Sequence, residues 1–138
     1  MVGYTPEMLY SQACSHSRRR WLWSLVTGRS RRLLSLAEVR AGSTLTRHDA
    51  GVRTVPIERI RGSESRSADF DCDFNPLKSH SEKRWLRVAR AWQEGKPLPP
   101  IKLIQVGDIY FVRDGHHRVS VARTLGVRSI EAEVTVWR

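Results

Sequence analysis

The sequence Asp114-Gly115-His116-His117-Arg118 stands between a run of β-type residues, 109–112, and a run of helical character, 119–125. Gly115 lets the chain turn sharply and lets a ligand approach the backbone. The first N–H groups of a helix have no acceptor within it, and the helix dipole adds partial positive charge there. Arg118 adds a planar fork of donors, and His116 and His117 can donate to phosphate oxygens or transfer protons near neutral pH. The pattern predicts that the five residues from Asp114 to Arg118 bind phosphate.

A structural interpretation of the same five residues competes with this one. Asp114 can act as an N-cap and Gly115 as a turn residue, with both histidines solvated at the surface. The surroundings favour the phosphate site, because they predict a compact unit around it. This unit comprises a strand over 101–106, a Gly107-Asp108 hairpin turn, a strand over 109–112, a helix ending near Gly126, and a last strand that alternates apolar and polar residues over 130–136.

On these residues the sequence resembles the ParB/sulfiredoxin-like superfamily. The stretch 99–136 is similar to the core of that fold, and the Asp114–Arg118 motif stands where the superfamily keeps its phosphate-binding motif. The resemblance covers residues 52–138, with Val55–Ile60 as the first strand. It implies an α+β (mixed α/β) domain over 51–138, with a small sheet and flanking helices. The residues of 1–50 lie outside the resemblance and themselves predict a basic helical segment before this domain.

Departures from the superfamily narrow what the resemblance implies. Sulfiredoxin chemistry requires a cysteine where His116 stands, so that redox activity is not expected. Chromosome-partitioning ParB proteins end their motif in two arginines and continue into a helix-turn-helix, whereas Val119 follows Arg118 and no such region follows here. Sequence-specific centromere binding is therefore not expected. The motif is most similar to that of free-serine kinases of this fold, which use Asp-Gly-His-His-Arg on nucleotide phosphates.

Composition sets outer limits on the function. The chain has 138 residues, a net charge of +10 and a pI near 10.8, which favours nucleotides, DNA, RNA or acidic protein surfaces as partners. Two isolated cysteines predict neither a disulfide framework nor a zinc site, which fits a reducing cytoplasm. No apolar run approaches the roughly 20 residues of a membrane span, so no membrane partner is expected.

Arginines surround Trp21 and Trp23 in the N-terminal segment. Basic residues between aromatics can hold single-stranded nucleic acid by phosphate contacts and base stacking. The structural interpretation is a helical hairpin whose tryptophans pack on the core or on a second subunit, which favours a homodimer. The arginines concerned are Arg18, Arg19, Arg20, Arg29, Arg31 and Arg32.

A stretch of alternating acids follows the loop at 62–67. Asp69, Asp71 and Asp73 carry oxygen ligands of the kind that Mg²⁺ prefers, which predicts Asp69 and Asp71 as metal ligands beside a bound triphosphate. Asp71 is the predicted general base for a substrate hydroxyl, with Glu64, Asp69 and Asp73 as the other candidates. The structural interpretation leaves the acids solvated while Phe70 and Phe74 pack inward.

The next element is a helix beginning near the capping-box sequence Ser79-His80-Ser81-Glu82. Its apolar positions Trp85, Val88, Ala89 and Trp92 fall on one face, and Gly95 ends it. We expect that face to belong to the core.

Two functions remain open from the sequence. The first is a phosphate-binding domain for a nucleoside di- or triphosphate (CTP, ATP or ADP, with Mg²⁺), acting as a phosphotransferase or NTP hydrolase, with His116, His117 and Asp71 as catalytic residues. The second is a nucleic-acid-binding protein, a ParB-like nuclease or DNA-binding accessory, that uses the arginine-rich N-terminal helices. Saturable binding of one nucleotide supports the first, and steep salt dependence with sequence-insensitive affinity supports the second.

Overall fold

The computed structural model describes residues 5–15, 33–39, 45–65, 70, 74–76 and 82–138. A helix over 6–15, here α1, precedes the sheet and packs against two later helices. The elements that follow are β1 (Leu34–Ser35), α2 (Leu36–Val39), β2 (Arg47–Pro56), a 3₁₀ turn (Ile57–Arg59), β3 (Ile60–Ser63), α3 (Glu82–Gln93), β4 (Ile101–Val106), β5 (Ile109–Asp114), α4 (His116–Thr124) and β6 (Ser129–Trp137).

The described strands form one mixed sheet in the order β1-β3-β5-β4-β6-β2. The pairs β1–β3, β3–β5 and β4–β6 are parallel, whereas β4–β5 and β2–β6 are antiparallel. The parallel pair β3–β5 matters most for function. It brings the carboxyl ends of both strands to the edge of the sheet where α4 begins. The mixed α+β class predicted from the sequence is confirmed.

The β4–β5 hairpin and the end of α4 follow their turn residues. Gly107 has a φ of 61° at the hairpin turn, a left-handed value that glycine adopts without strain. Gly126 has a φ of 76° after α4, and the N–H of Val127 donates to the carbonyl of Ala122 at 2.9 Å. Both turns were predicted, and the structure confirms them.

Two apolar layers hold the helices on the sheet. Val119 and Ala122 of α4 pack on the sheet core, where Ile101, Val112 and Val134 are also buried. On the outer side of α4, Trp85 and Ala89 of α3 meet Leu9 and Ala13 of α1 around Val121. The indole Nε1–H of Trp85 donates to Ser120 Oγ at 2.8 Å, so the buried polar end of the ring has a partner. The predicted inward face of α3 is confirmed.

The N-terminal third differs from the expected helical segment. Leu34–Ser35 is a short strand paired with Gly62–Ser63 of β3, and β2 begins at Arg47. Leu33 and Leu36 explain the strand, because they are buried in clusters on opposite faces of the sheet, which a helix could not achieve over so few residues. The arginines and tryptophans at 18–32 lie outside the described residues. The division of the chain at residue 50 stays a prediction.

The strand before the motif is longer than predicted. β5 runs to Asp114, which pairs with Lys102 of β4, and α4 begins at His116. Gly115, with a φ of 109°, is therefore the N-cap residue, and Asp114 is not. Among the described residues, no helix has the length and apolar character that crossing a bilayer requires.

Candidate functional site

Gly115 connects the sheet to the first turn of α4 at the candidate site. Its carbonyl accepts the N–H of Val119 at 3.0 Å, the first hydrogen bond of the helix. A Cβ at this position would lie 2.4 Å from Ile101 Cγ2. The glycine is thus required by packing as well as by its positive φ. This brings the first-turn N–H groups of α4 close to β4 and to the ends of β3 and β5.

Both motif histidines are buried, with 4% of His116 and 5% of His117 exposed. His116 Nε2 and Ser63 Oγ form a 2.6 Å hydrogen bond that ties α4 to the end of β3. The ring of Phe70 stacks on His116 with centroids 6.0 Å apart and meets His117 edge-on at 5.6 Å. In this conformation the imidazoles fix the first turn of α4. Their catalytic and ligand-binding roles stay predictions.

The stretch with alternating acids is described only in part. Phe70 and Phe74 are fully buried with ring centroids 6.0 Å apart, as the structural interpretation of this stretch predicted. Phe74 has a φ of 61°, a left-handed value that is uncommon for a bulky residue. Asp69, Asp71 and Asp73 lie outside the described residues, so the metal ligands and the general base proposed there stay predictions. Among the residues described, no three His, Cys, Asp or Glu side chains gather as a metal site would require.

Arg118 is mostly buried and holds the chain that enters β4. Its Nη1 donates to the carbonyl of Pro99 at 2.6 Å, and its Nη2 lies 3.3 Å from Asp114 Oδ2. Only 14% of the Arg118 side chain is exposed, whereas Asp114 is 67% exposed. These contacts place the guanidinium in a fixed position beside the first turn of α4.

The Arg118 side chain lines a cleft of about 310 Å³ between α3, the Pro99-Pro100 segment and the start of β6. Trp92 and Lys96 form other parts of its wall, with Ile130 and Glu131 from β6. The helical spacing predicted Trp92 in the core, and nothing in the sequence predicted Lys96 in a site. The sequence did contain an indication of this cleft, because Gly95 and Pro99 enclose a short irregular segment directly before β4. The cleft combines an aromatic ring and two cations with the carboxylate of Glu131, and Lys96 also pairs with Glu94 at 2.8 Å.

Glu64 is the candidate general base that falls within the described residues, and it directly follows β3. Its backbone N–H donates to the carbonyl of Val112 at 3.0 Å, which extends the β3–β5 pairing by one bond. Arg113 Nε donates to Glu64 Oε2 at 2.9 Å, and both side chains are about one third exposed. The sequence alone did not reveal this ion pair, because it depends on parallel pairing between strands about 50 residues apart.

Comparison with known proteins bears on the fold. No family model matches the chain, and no curated protein matches it. The crystal structure of sulfiredoxin from Arabidopsis thaliana is similar, with 20% sequence identity, coverage of 60% of this chain and 82% of that chain, and a TM-score of 0.45. At this identity the similarity concerns the fold alone.

Proposed function

We propose that the protein binds a nucleotide, a nucleoside di- or triphosphate with Mg²⁺, in the cleft that Arg118 lines beside the first turn of α4. The observation that carries the proposal is the fixed guanidinium of Arg118 in that cleft, together with Lys96 and Trp92. A guanidinium has five N–H donors; Nη1 of Arg118 donates to the carbonyls of Pro99 and Pro100, and Nη2 donates to Asp114. Donors therefore remain for phosphate oxygens.

The parts of the cleft match the parts of a nucleotide. Arg118 and Lys96 supply positive charge for the phosphates, and the half-buried ring of Trp92 offers an apolar face for a base. The volume of about 310 Å³ lies at the lower end of the roughly 300–1,000 Å³ that is usual for small-molecule sites. In this proposal Mg²⁺ enters with the nucleotide phosphates.

Calorimetric titration of CTP, ATP, ADP and GTP, each with Mg²⁺, tests the site. Lys96→Gln and Arg118→Lys remove a cleft contact, and Arg53→Gln removes an exposed charge on β2 as the matched control. Hydrogen bonds to charged groups contribute about 1.5–3 kcal/mol, so each cleft variant should weaken binding roughly 10- to 100-fold. Arg53→Gln should leave the affinity within about twofold of wild type.

Two results would refute the site. No binding of any of the four nucleotides by wild type would remove the proposal. Equal loss in Arg53→Gln and Lys96→Gln would show that net charge, rather than the cleft, holds the ligand. If wild type binds a nucleotide and releases phosphate from it, the same assay is made on Glu64→Gln. Loss of phosphate release in this variant would extend the proposal to catalysis, since Glu64 is the candidate general base among the residues that the structure describes.

A further inference from the structure

The outward face of α3 carries a row of cations, which we call the α3 basic stripe: Lys83, Arg87 and Arg90. They stand at i, i+4 and i+7 and are all exposed, while Trp85 and Ala89 on the opposite side are buried. With a rise of 1.5 Å per residue, the three positions lie about 6 Å and about 4.5 Å apart along the helix axis. The stripe borders a groove of about 470 Å³ that also includes Leu86 and Lys96.

Of the three stripe residues and the neighbouring Lys96, two already pair with a carboxylate and two do not. Arg90 pairs with Glu7 of α1 at 2.8 Å, and Lys96 pairs with Glu94 at 2.8 Å. Within the part of the chain that is described, no carboxylate forms an ion pair with Lys83 or Arg87. The stripe therefore keeps positive charge available at positions that a rigid, well-packed helix fixes.

We propose that the α3 basic stripe binds the phosphate backbone of duplex nucleic acid without reading its sequence. Regularly spaced cations on a rigid helix suit a regular row of phosphates, and the net charge of +10 adds a general attraction to polyanions. The aromatic residues of α3 lie inward, with Trp85 buried and Trp92 half-buried. The stripe thus lacks the stacking platform that single-strand binding uses.

An anionic membrane is a poorer fit to the same charges. A helix that lies on a bilayer inserts its apolar face into the lipid. The apolar face of α3 packs instead on α1 and α4, around Leu9 and Val121. The inference is independent of the nucleotide proposal, since it rests on Lys83 and Arg87, which do not line the Arg118 cleft.

Salt-dependent binding to a 20-base-pair DNA duplex tests the stripe. The variant Lys83→Gln/Arg87→Gln is compared with Arg53→Gln/Arg59→Gln, which removes the same charge from exposed residues elsewhere. Each lost phosphate contact should reduce the slope of log K against log salt by about 0.9, so the α3 variant should lose about 1.8. At 0.1 M salt this corresponds to roughly 60-fold weaker binding. The control should change the slope by less than half as much, and a second duplex of unrelated sequence should behave as the first does.

Three outcomes would overturn the inference. Equal changes in the α3 variant and the control would assign binding to net charge or to another segment, such as the arginines at 18–32. No binding of either duplex by wild type would remove it outright. Binding to phosphatidylserine vesicles without binding to duplex would assign the stripe to a membrane surface. Circular dichroism of both variants verifies that α3 remains folded, which glutamine favours as a good helix former.

Discussion

Replacing Gly115 with alanine tests whether the motif glycine is required by packing. The new Cβ would lie 2.4 Å from Ile101 Cγ2 and 2.7 Å from Ile101 Cβ, so the two elements must separate. Overpacking of this kind costs about 1–3 kcal/mol. The φ of 109° adds a backbone penalty of roughly 1–2 kcal/mol for a residue with a Cβ. The expected loss is therefore about 2–5 kcal/mol of unfolding free energy.

Gly126→Ala is the matched control for the backbone penalty. Gly126 ends the same helix with a φ of 76°, and a Cβ there would meet nothing within 4 Å. Urea unfolding followed by circular dichroism should give the control a loss of about 1–2 kcal/mol and Gly115→Ala the larger loss. The variant Gly115→Ala/Ile101→Ala, which removes Cγ2, should lose less than the sum of the two single losses. Equal losses for Gly115→Ala and Gly126→Ala would refute the packing explanation.

Two further predictions concern the helices around the site. Trp85→Phe removes the 2.8 Å hydrogen bond to Ser120 Oγ and leaves the buried hydroxyl without this donor, so the unfolding free energy should fall by about 1–3 kcal/mol. A double-mutant cycle with Ser120→Ala should show coupling between the two residues. Strictly additive losses of stability would contradict the prediction. A backbone hydrogen bond and the hydrogen bond from Arg90 lower the pKa of Glu7. The contribution of the ionised Glu7 to stability is therefore present above the ordinary glutamate pKa and is lost as the pH falls through the lowered pKa. In Arg90→Gln, NMR titration should find the pKa of Glu7 raised part of the way back, and an unchanged pKa would show that Arg90 has no influence on it.

Local patterns predicted the second half of the chain well. The Gly107 turn, the apolar face of α3, the Gly126 cap and the alternation of β6 each depend on neighbours within a few residues. The site depended on more distant partners. Ser63 with His116 and Glu64 with Arg113 are joined by the parallel β3–β5 pairing, which places residues about 50 positions apart side by side. No periodicity in a single sequence carries that information.

The helical prediction for the N-terminal segment failed at Leu34–Ser35 for a related reason. Closely spaced leucines suggest a helix face when they are read alone. The edge of β3 changes the result, because Leu34–Ser35 pairs with it as a short strand and the flanking Leu33 and Leu36 are buried on different faces of the sheet. Tertiary context outweighed local preference at this position.

The contacts of Arg118 stabilise the fold and leave the residue able to bind an anion in the proposed site. Its strongest bond, 2.6 Å long, goes to the neutral carbonyl of Pro99, which positions the guanidinium without cancelling its charge. The carboxylate of Asp114 is 3.3 Å away and largely exposed, and ion pairs of that kind contribute little in water. A phosphate that approached from the cleft would therefore displace at most the weakly paired Asp114, while the hydrogen bond to Pro99 would keep the guanidinium in place. Pre-organisation of this kind reduces the entropy lost on binding, so in the proposed site a mostly buried arginine would be a better phosphate ligand than an exposed one.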